Sequence, residues 1–435
     1  MMKTSPAVLN TSLLQRMNNA KESPLFHKVF FLVTLGLMLD ASDVYLASAT
    51  NTAIVKGGFA TLNQGSVFLS AGFMGLFIGS VLAGFLGDRL GRSKVYSLNL
   101  FVFGLFTLLA GFAPNIIMLT LFRLIASLGL GAEIVTGFAL VNEFAPVLHR
   151  GRWAGGASVV GNLGSPLGLL LCTLLIPSYS WRAPFFIIGI LALLLWVLRL
   201  HNFPESPRWL MSKGRYEEAE KIIRQLEFNG TYTSKANSSE SKKVTTNLVR
   251  ALFVGVIVAI TTTLAQFTFT SWVPTLLVKR GIDIAHSLMF STVMMAGAPI
   301  GALIGAMLVD WIGRKKTIVI GFILTAVLGI TFVYQTTSFT VMLVGFLLTV
   351  CMYAMNASVM SVYIPELFQT KFRFRGEGYS VGAGKLTAVL MPSVVVWVIT
   401  NFGPAYVFYG IAVITVLGAI VVGFFGPETK QRPVE

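Results

Sequence analysis

The residues Gly87-Asp-Arg-Leu-Gly-Arg-Ser-Lys94 return 222 positions later as Val309-Asp-Trp-Ile-Gly-Arg-Lys-Lys316. In both places a short charged loop separates two long apolar runs, and a helix needs about 20 apolar residues to cross a bilayer core. A duplicated loop between duplicated hydrophobic runs constrains the chain to a membrane protein built from two matching halves. A soluble alternative fails on composition. Only 12% of the 435 residues are charged against 55% hydrophobic, and soluble domains carry about 25% charged residues.

Twelve spans are expected, over residues 29–50, 66–86, 95–113, 116–141, 153–176, 183–201, 248–277, 288–309, 317–335, 339–364, 379–400 and 404–426. The fold class this predicts is an all-α membrane protein of two six-helix bundles. Its parts are a leading segment 1–28, a bundle 29–201, a central loop 202–247, a second bundle 248–426 and a tail 427–435. Segments on one side hold most of the basic residues, among them Arg16, Lys28, Arg89, Arg92, Lys94, Arg150, Arg152, Arg314, Lys315, Lys316, Lys371, Arg373 and Arg375. The other side holds Lys56, Arg182, Lys279 and Arg280. By the positive-inside rule the basic side, with both termini, is cytoplasmic.

The net charge of +15 therefore reads as anchoring to membrane lipids, not as nucleic-acid binding. Residues 1–28 lack the apolar core of a signal peptide. Cys172 and Cys351 fall inside spans and the four histidines are scattered, so neither a disulfide framework, a metal site nor a cofactor site is expected. The same lack of paired histidines, or of a nucleophile beside a base, speaks against an enzyme. Within the central loop, Gly214 to Leu226 places Tyr216, Ala219, Ile222, Ile223 and Leu226 at helical spacing and predicts an amphipathic helix. Asn229 to Thr246 is rich in Ser, Thr, Asn and Lys and reads as a tether.

Ionisable groups inside a span are costly and mark function by default. Five are read so: Asp40 and Asp43 in the first span, Arg123 and Glu133 in the fourth, and Lys385 in the eleventh. At about 1.5 Å per residue, the two acids and Arg123 share a level roughly 10 Å from the outer boundary. Asp40 and Asp43 lie three apart on one face, and two close carboxylates in a dry place do not both ionise easily. Protonation would release an Asp–Arg pair and deprotonation restore it. The alternative is a permanent ion pair that only orients two helices. Glu133 and Lys385 share a second level nearer the cytoplasm. Lys385 could attract a substrate carboxylate, pair with Glu133 as a gate, or snorkel to the surface.

The halves match further: Glu143-Phe-Ala-Pro leads to Arg150-Gly151 as Pro365-Glu-Leu-Phe leads to Arg375-Gly376. On the doubled loop, this chain resembles the major facilitator superfamily over nearly its whole length. Arg123, Gly129-Leu-Gly131, Glu143, Arg150-Gly151, Pro204-Glu-Ser-Pro-Arg-Trp-Leu210 and Pro427-Glu-Thr-Lys430 resemble its sugar and related metabolite branch. Asp40-Ala-Ser-Asp43 is similar to the Asp-x-x-Asp of the aromatic-acid/proton symporters, with Ala-Ser where that group has Gly-Tyr. Gly129-Leu-Gly-Ala-Glu133 resembles the niacin-transporter and organic-ion branch. Gly382-Ala-Gly-Lys385-Leu-Thr-Ala388 resembles the family's Gly-x-Gly-Arg-x-Gly-Ala, with Lys for Arg. Sugar carriers of the branch show paired glutamines in the seventh span. Here Gln266 is alone, which disfavours a hexose.

The resemblance implies a proton-coupled importer of a small organic anion, monomeric, in a bacterial inner membrane. It implies coupling roles for Asp40 and Asp43 of the first span and Arg123 of the fourth. Tyr45, Gln266, Trp272, Tyr353 and Asn356 are candidates, with Glu133 and Lys385, for lining a substrate cavity. Asp88, Arg92, Glu143, Arg150, Asp310, Arg314, Glu366 and Arg375 are expected to form ion pairs that hold the cytoplasmic side shut. The rival readings are a sugar or polyol symporter, a drug exporter, and a transporter-like nutrient sensor.

Overall fold

Punctuation residues turn the apolar runs into separate helices. The structure, a computed structural model, describes residues 6–146, 149–230, 248–368 and 370–429. Its helices are α1 (Pro6–Asn19), α2 (Pro24–Lys56), α3 (Leu62–Leu90), α4 (Arg92–Ala110), α5 (Ile116–Phe144), α6 (Arg150–Asn162), α7 (Gly164–Ser178), α8 (Ala183–Asn202), α9 (Pro207–Ser212) and α10 (Tyr216–Leu226). The second half continues with α11 (Leu248–Lys279), α12 (Ile284–Met295), α13 (Gly297–Ile312), α14 (Arg314–Val333), α15 (Ser338–Ser358), α16 (Ile364–Leu367), α17 (Thr370–Asn401) and α18 (Ala405–Phe425). Among the described residues, 12 helical stretches are long and apolar enough to cross a membrane, with α6–α7, α12–α13 and α15–α16 each forming one.

The duplication reaches single caps. Thr61 and Asp283 cap α3 and α12, and Asn115 and Thr337 cap α5 and α15, each pair 222 positions apart. Each side chain accepts an orphan backbone N–H of the first turn, a contact worth about 1 kcal/mol. Gly91 and Gly313 sit in the repeated loops at φ of 102° and 104°, a region where a Cβ is strained. Further on, Glu143 and Glu366 are 223 apart. The second half has gained one residue, and the single π-helical turn Val359–Tyr363 between α15 and α16 absorbs it.

Within the first bundle α5 packs on α3 and α4, and α2 on α6, α7 and α8; within the second, α17 and α18 pack on α11, and α15 on α13 and α14. The bundles meet along α2–α11, α3–α17 and α7–α12. At the end opposite the repeated loops one apolar core runs through both halves, from Ala49, Phe68 and Leu119 to Leu276, Leu288 and Phe332. At the end carrying those loops, called here the basic end, the core divides. One part, around Val33, Leu140 and Phe144, belongs to the first half; the other, around Val254, Ile318 and Leu367, to the second. The molecule is closed at the opposite end and parted at the basic end.

Two boundaries differ from expectation by more than five residues. α2 runs through Ser48, Thr50, Asn51 and Thr52 because all four are buried, with the hydroxyls of Ser48 and Thr52 bonded to α11. α17 starts nine residues before the expected 379. At the basic end, the expected amphipathic helix is α10. Its Ala219, Ile223 and Leu226 bury against Leu13 and Met17 of α1, and Arg16 donates to both carboxylate oxygens of Glu227 at 3.0 and 2.7 Å. Most of the expected tether, 231–247, lies outside the described residues.

Candidate functional site

Asp43 and Arg123 form an ion pair between α2 and α5, and both side chains are buried. Arg123 reaches across because Gly72 of α3 leaves room; a Cβ there would stand 2.9 Å from its Nε. Among the described residues, Asp43 Oδ1 and Arg123 Nε have no hydrogen-bond partner.

A second charge cluster lies one level toward the basic end. Arg199 of α8 is 1% exposed, and its Nη1 stands 2.8 Å from Glu133 Oε1 in a fully buried ion pair. Arg199 Nη2 donates to the Leu32 carbonyl at 2.9 Å and to the Tyr96 hydroxyl at 3.0 Å. The guanidinium also lies 4.0 Å over the Tyr96 ring, a favourable cation–π geometry. Gly36 of α2 makes this possible, since a Cβ there would overlap Arg199 Nη2 and Glu133 Oε1. Asp40, one turn further along α2, is buried with neither carboxylate oxygen hydrogen-bonded. Sequence reasoning left Arg199 out of the intramembrane set. The partner of Glu133 is therefore Arg199, not Lys385. Desolvation explains the choice: a fully buried carboxylate demands a counterion in contact.

The seam between the halves is polar at its centre. The hydroxyls of Tyr45 on α2 and Tyr353 on α15 meet across it. Asn356 Nδ2 donates to Gln266 Oε1 at 2.6 Å, joining α15 to α11. Thr52 and Thr275 share a hydrogen bond of 2.8 Å, and Ser48 donates to the Ser271 carbonyl at 2.7 Å. Both pairs are 223 apart, so equivalent positions of the two halves face each other. Trp272 does not line a cavity in this conformation: it is 1% exposed and sits in the shared core.

Lys385 is partly buried. It shares a face of α17 with Ala388 and Val389, which close against Phe73 of α3 and Phe267 of α11. It thus stands on the basic-end side of the point where the halves touch, at the head of the parted region. It makes no hydrogen bond or ion pair among the described residues.

At the basic end the charged loops pair within each half. Arg92 bonds Glu143 and lies 3.8 Å from Asp88. Arg314 grips both oxygens of Glu366 at 3.0 and 2.9 Å. Four residues, read in the sequence only as parts of two motifs, complete the repeat. Glu205 accepts from Ser93 N at 3.0 Å, while Ser206 donates to Glu143. In the second half Glu428 accepts from Arg314 N and Lys315 N at 2.9 and 3.1 Å, while Thr429 donates to Glu366 at 2.6 Å. Their signal was the paired Pro-Glu-Ser and Pro-Glu-Thr, 223 positions apart. Arg150 and Arg375, expected in these networks, join no ion pair among the described residues; Arg375 is exposed where the halves part. The side chain of Asp310 lies outside the described residues. Neither network bridges the halves, because the basic end stands open.

Two matching helical bundles, joined at one end, parted at the other and carrying buried charges in the first bundle, define a secondary carrier of small molecules. A family model described as "Sugar (and other) transporter" matches residues 29–435. The chain belongs to that family, within the major facilitator superfamily, and is a multi-pass membrane protein. It is 32% identical over 428 residues to the inner membrane metabolite transport protein YdjE of Escherichia coli, covering 94% of this chain and 95% of that one. It is 28% identical over 437 residues to the niacin transporter NiaP of Acinetobacter baylyi, with coverages of 97% and 99%. Among solved structures it is similar to the inward open xylose transporter XylE from E. coli, with a TM-score of 0.74 and 20% identity over 94% of this chain and 98% of that chain. At that identity the likeness speaks for the fold alone. These relatives and neighbours are transporters, not enzymes.

Proposed function

We propose that the protein is a proton-coupled symporter that imports a small organic acid, with an aromatic carboxylate the leading class, by alternating access. The observation that carries the reading is Lys385, a cation with no partner among the described residues, at the head of the parted space, with buried carboxylates in the facing half. An anion entering that space would find a charge to neutralise and the amides of Gln266 and Asn356 to bond. The names of relatives agree in chemistry. Besides the niacin transporter, a benzoate transport protein and a 4-hydroxybenzoate transporter of Acinetobacter baylyi are 24% and 28% identical, and all three names denote aromatic carboxylates or a hydroxylated one.

In this reading the basic end is cytoplasmic, both termini lie there, the conformation described faces inward, and the protein works as a monomer in the bacterial inner membrane. The Arg92–Glu143 and Arg314–Glu366 networks bias the closing of that end. Each pair lies within one half and is already formed in this conformation, so closure draws on the whole network and not on a single pair. Energy comes from the proton. A one-unit pH difference supplies about 1.4 kcal/mol. A charge crossing 100 mV is worth about 2.3 kcal/mol, and one proton moving with one monoanion is electroneutral and draws on the pH term alone.

The test is uptake into proteoliposomes under an imposed inward proton gradient, with a panel of aromatic acids, sugars and organic cations in competition. Aromatic acids should compete and a one-unit gradient should drive about tenfold accumulation. Uptake indifferent to the gradient would sink proton coupling, and competition by sugars or cations alone would sink the substrate class.

A further inference from the structure

We infer that Asp40 and Glu133 together hold one exchangeable proton, with Arg199 as their fixed countercharge, at a site separate from the Asp43–Arg123 pair. The inference rests on the symport reading and names where its proton rides. Counting charges leads to it. Asp43 and Arg123 neutralise one another in contact. The neighbouring cluster has two carboxylates, Asp40 and Glu133, and one guanidinium, Arg199, all buried. With every group ionised it carries one uncompensated negative charge, and burying an unpaired charge costs several kcal/mol. Arg199 cannot give up its proton, so the excess is relieved by protonating one acid.

The charged and titratable groups around Asp40 come from three other helices and its own. They are Glu133 from α5, Arg199 from α8, Asp43 from its own helix, and the Tyr96 hydroxyl from α4. Tyr96 donates to the Val33 carbonyl at 3.4 Å and carries no charge to offset Asp40. Lys385 is not among them. Geometry then divides the labour within the cluster. Arg199 is anchored by the Leu32 carbonyl, the Tyr96 hydroxyl and the Tyr96 ring, and Glu133 is held against it. Asp40 alone of the three has neither a hydrogen bond nor an ion pair to any described residue. Two acids so coupled share their proton as a pair, and Asp40, which no ion pair holds in place, is the member to which the exchange is assigned. α2 also contacts α11 of the other half. The helix that carries Asp40 therefore also lines the contact between the halves, while Glu133 and Arg199 lie on α5 and α8. The step balances simply: a carboxylate takes a proton from water on one side and returns it on the other.

Infrared difference spectroscopy of the purified full-length protein reads this directly through the carbonyl stretch of a protonated carboxylic acid. Wild type should show one such band that disappears as the pH is raised. Asp40→Asn and Glu133→Gln should each abolish it, since either leaves a neutral acid–arginine pair. Arg199→Met should enlarge it about twofold, since two acids then lack a counterion. The double variant Asp43→Asn with Arg123→Gln should retain it. Absence of the band in wild type, its persistence in both Asp40→Asn and Glu133→Gln, or its loss in the double variant would overturn the assignment. Because the band is read without transport, a variant that no longer carries substrate still answers. The transport arm separates this inference from its basis. Wild-type uptake that ignores a pH gradient sinks symport whatever the band does. A gradient-driven wild type whose Asp40→Asn variant still accumulates tenfold sinks this site alone.

Discussion

At the residue scale the decisive contrast is between acids and arginines held in buried ion pairs and a lysine that is not. Lys385 has no partner among the described residues, and a charge-assisted hydrogen bond is worth about 1.5–3 kcal/mol. Lys385→Met should therefore raise KM for an anionic substrate about ten- to hundredfold, while an uncharged analogue that still enters is spared. Equal losses for both, measured in proteoliposomes, would remove Lys385 from substrate recognition. Residue identity and spacing made part of this site readable. Asp43 and Arg123 were placed at one depth by counting along two helices, and they are in contact. Arg199 escaped because an arginine near a span's end is usually a snorkelling anchor. Its own helix carried the missing signal: Phe185, Ile188, Ala192, Leu195 and Arg199 follow the spacing of a single buried face, and all are buried. Partner choice was beyond reach, since nothing in the chain says that Gly36 opens the gap through which Glu133 and Arg199 meet beside α2.

At the scale of elements, close packing without side chains does the structural work. α3 and α5 approach so closely that a Cβ on Gly79 would overlap the Leu128 carbonyl, and one on Gly131 the Leu76 carbonyl. Small residues at such crossings are what permits helix association where lipid offers no hydrophobic drive. Gly79→Val should cost about 1–3 kcal/mol through overpacking and lower the thermal midpoint in detergent. Gly84→Val in the same helix is the control. A Cβ there meets nothing within 4 Å, so its stability should stay within about 0.5 kcal/mol of wild type. A Gly79→Val protein as stable as that control would mean the α3–α5 crossing can relax, and with it the platform for Arg123. Helix number and order were legible because hydrophobic length and caps are local properties. Helix ends were less so: α2 and α17 run past their expected limits because neighbouring helices or the opened basic end, not propensity, decide where a polar turn remains helical.

At the scale of the whole molecule, the uneven distribution of the core predicts how the halves move. One apolar core crosses both bundles at the opposite end, and two separate cores stand at the basic end. Alternating access requires the reverse arrangement at some point in the cycle, so the α2–α11 contact must come apart. Thr52 and Thr275 mark it, joined by a 2.8 Å hydrogen bond between equivalent positions of the repeat. Cysteines placed at both positions should cross-link on oxidation, since the side chains already touch. Cys172 is buried and Cys351 lies within a span, so neither competes for the new pair. Oxidation of the double variant should reduce uptake at least tenfold and reductant should restore it, with each single variant unaffected. Uptake that survives a complete cross-link would mean that substrate passes without separating α2 from α11. A rigid path through the closed end would then have to replace rocking of the two halves.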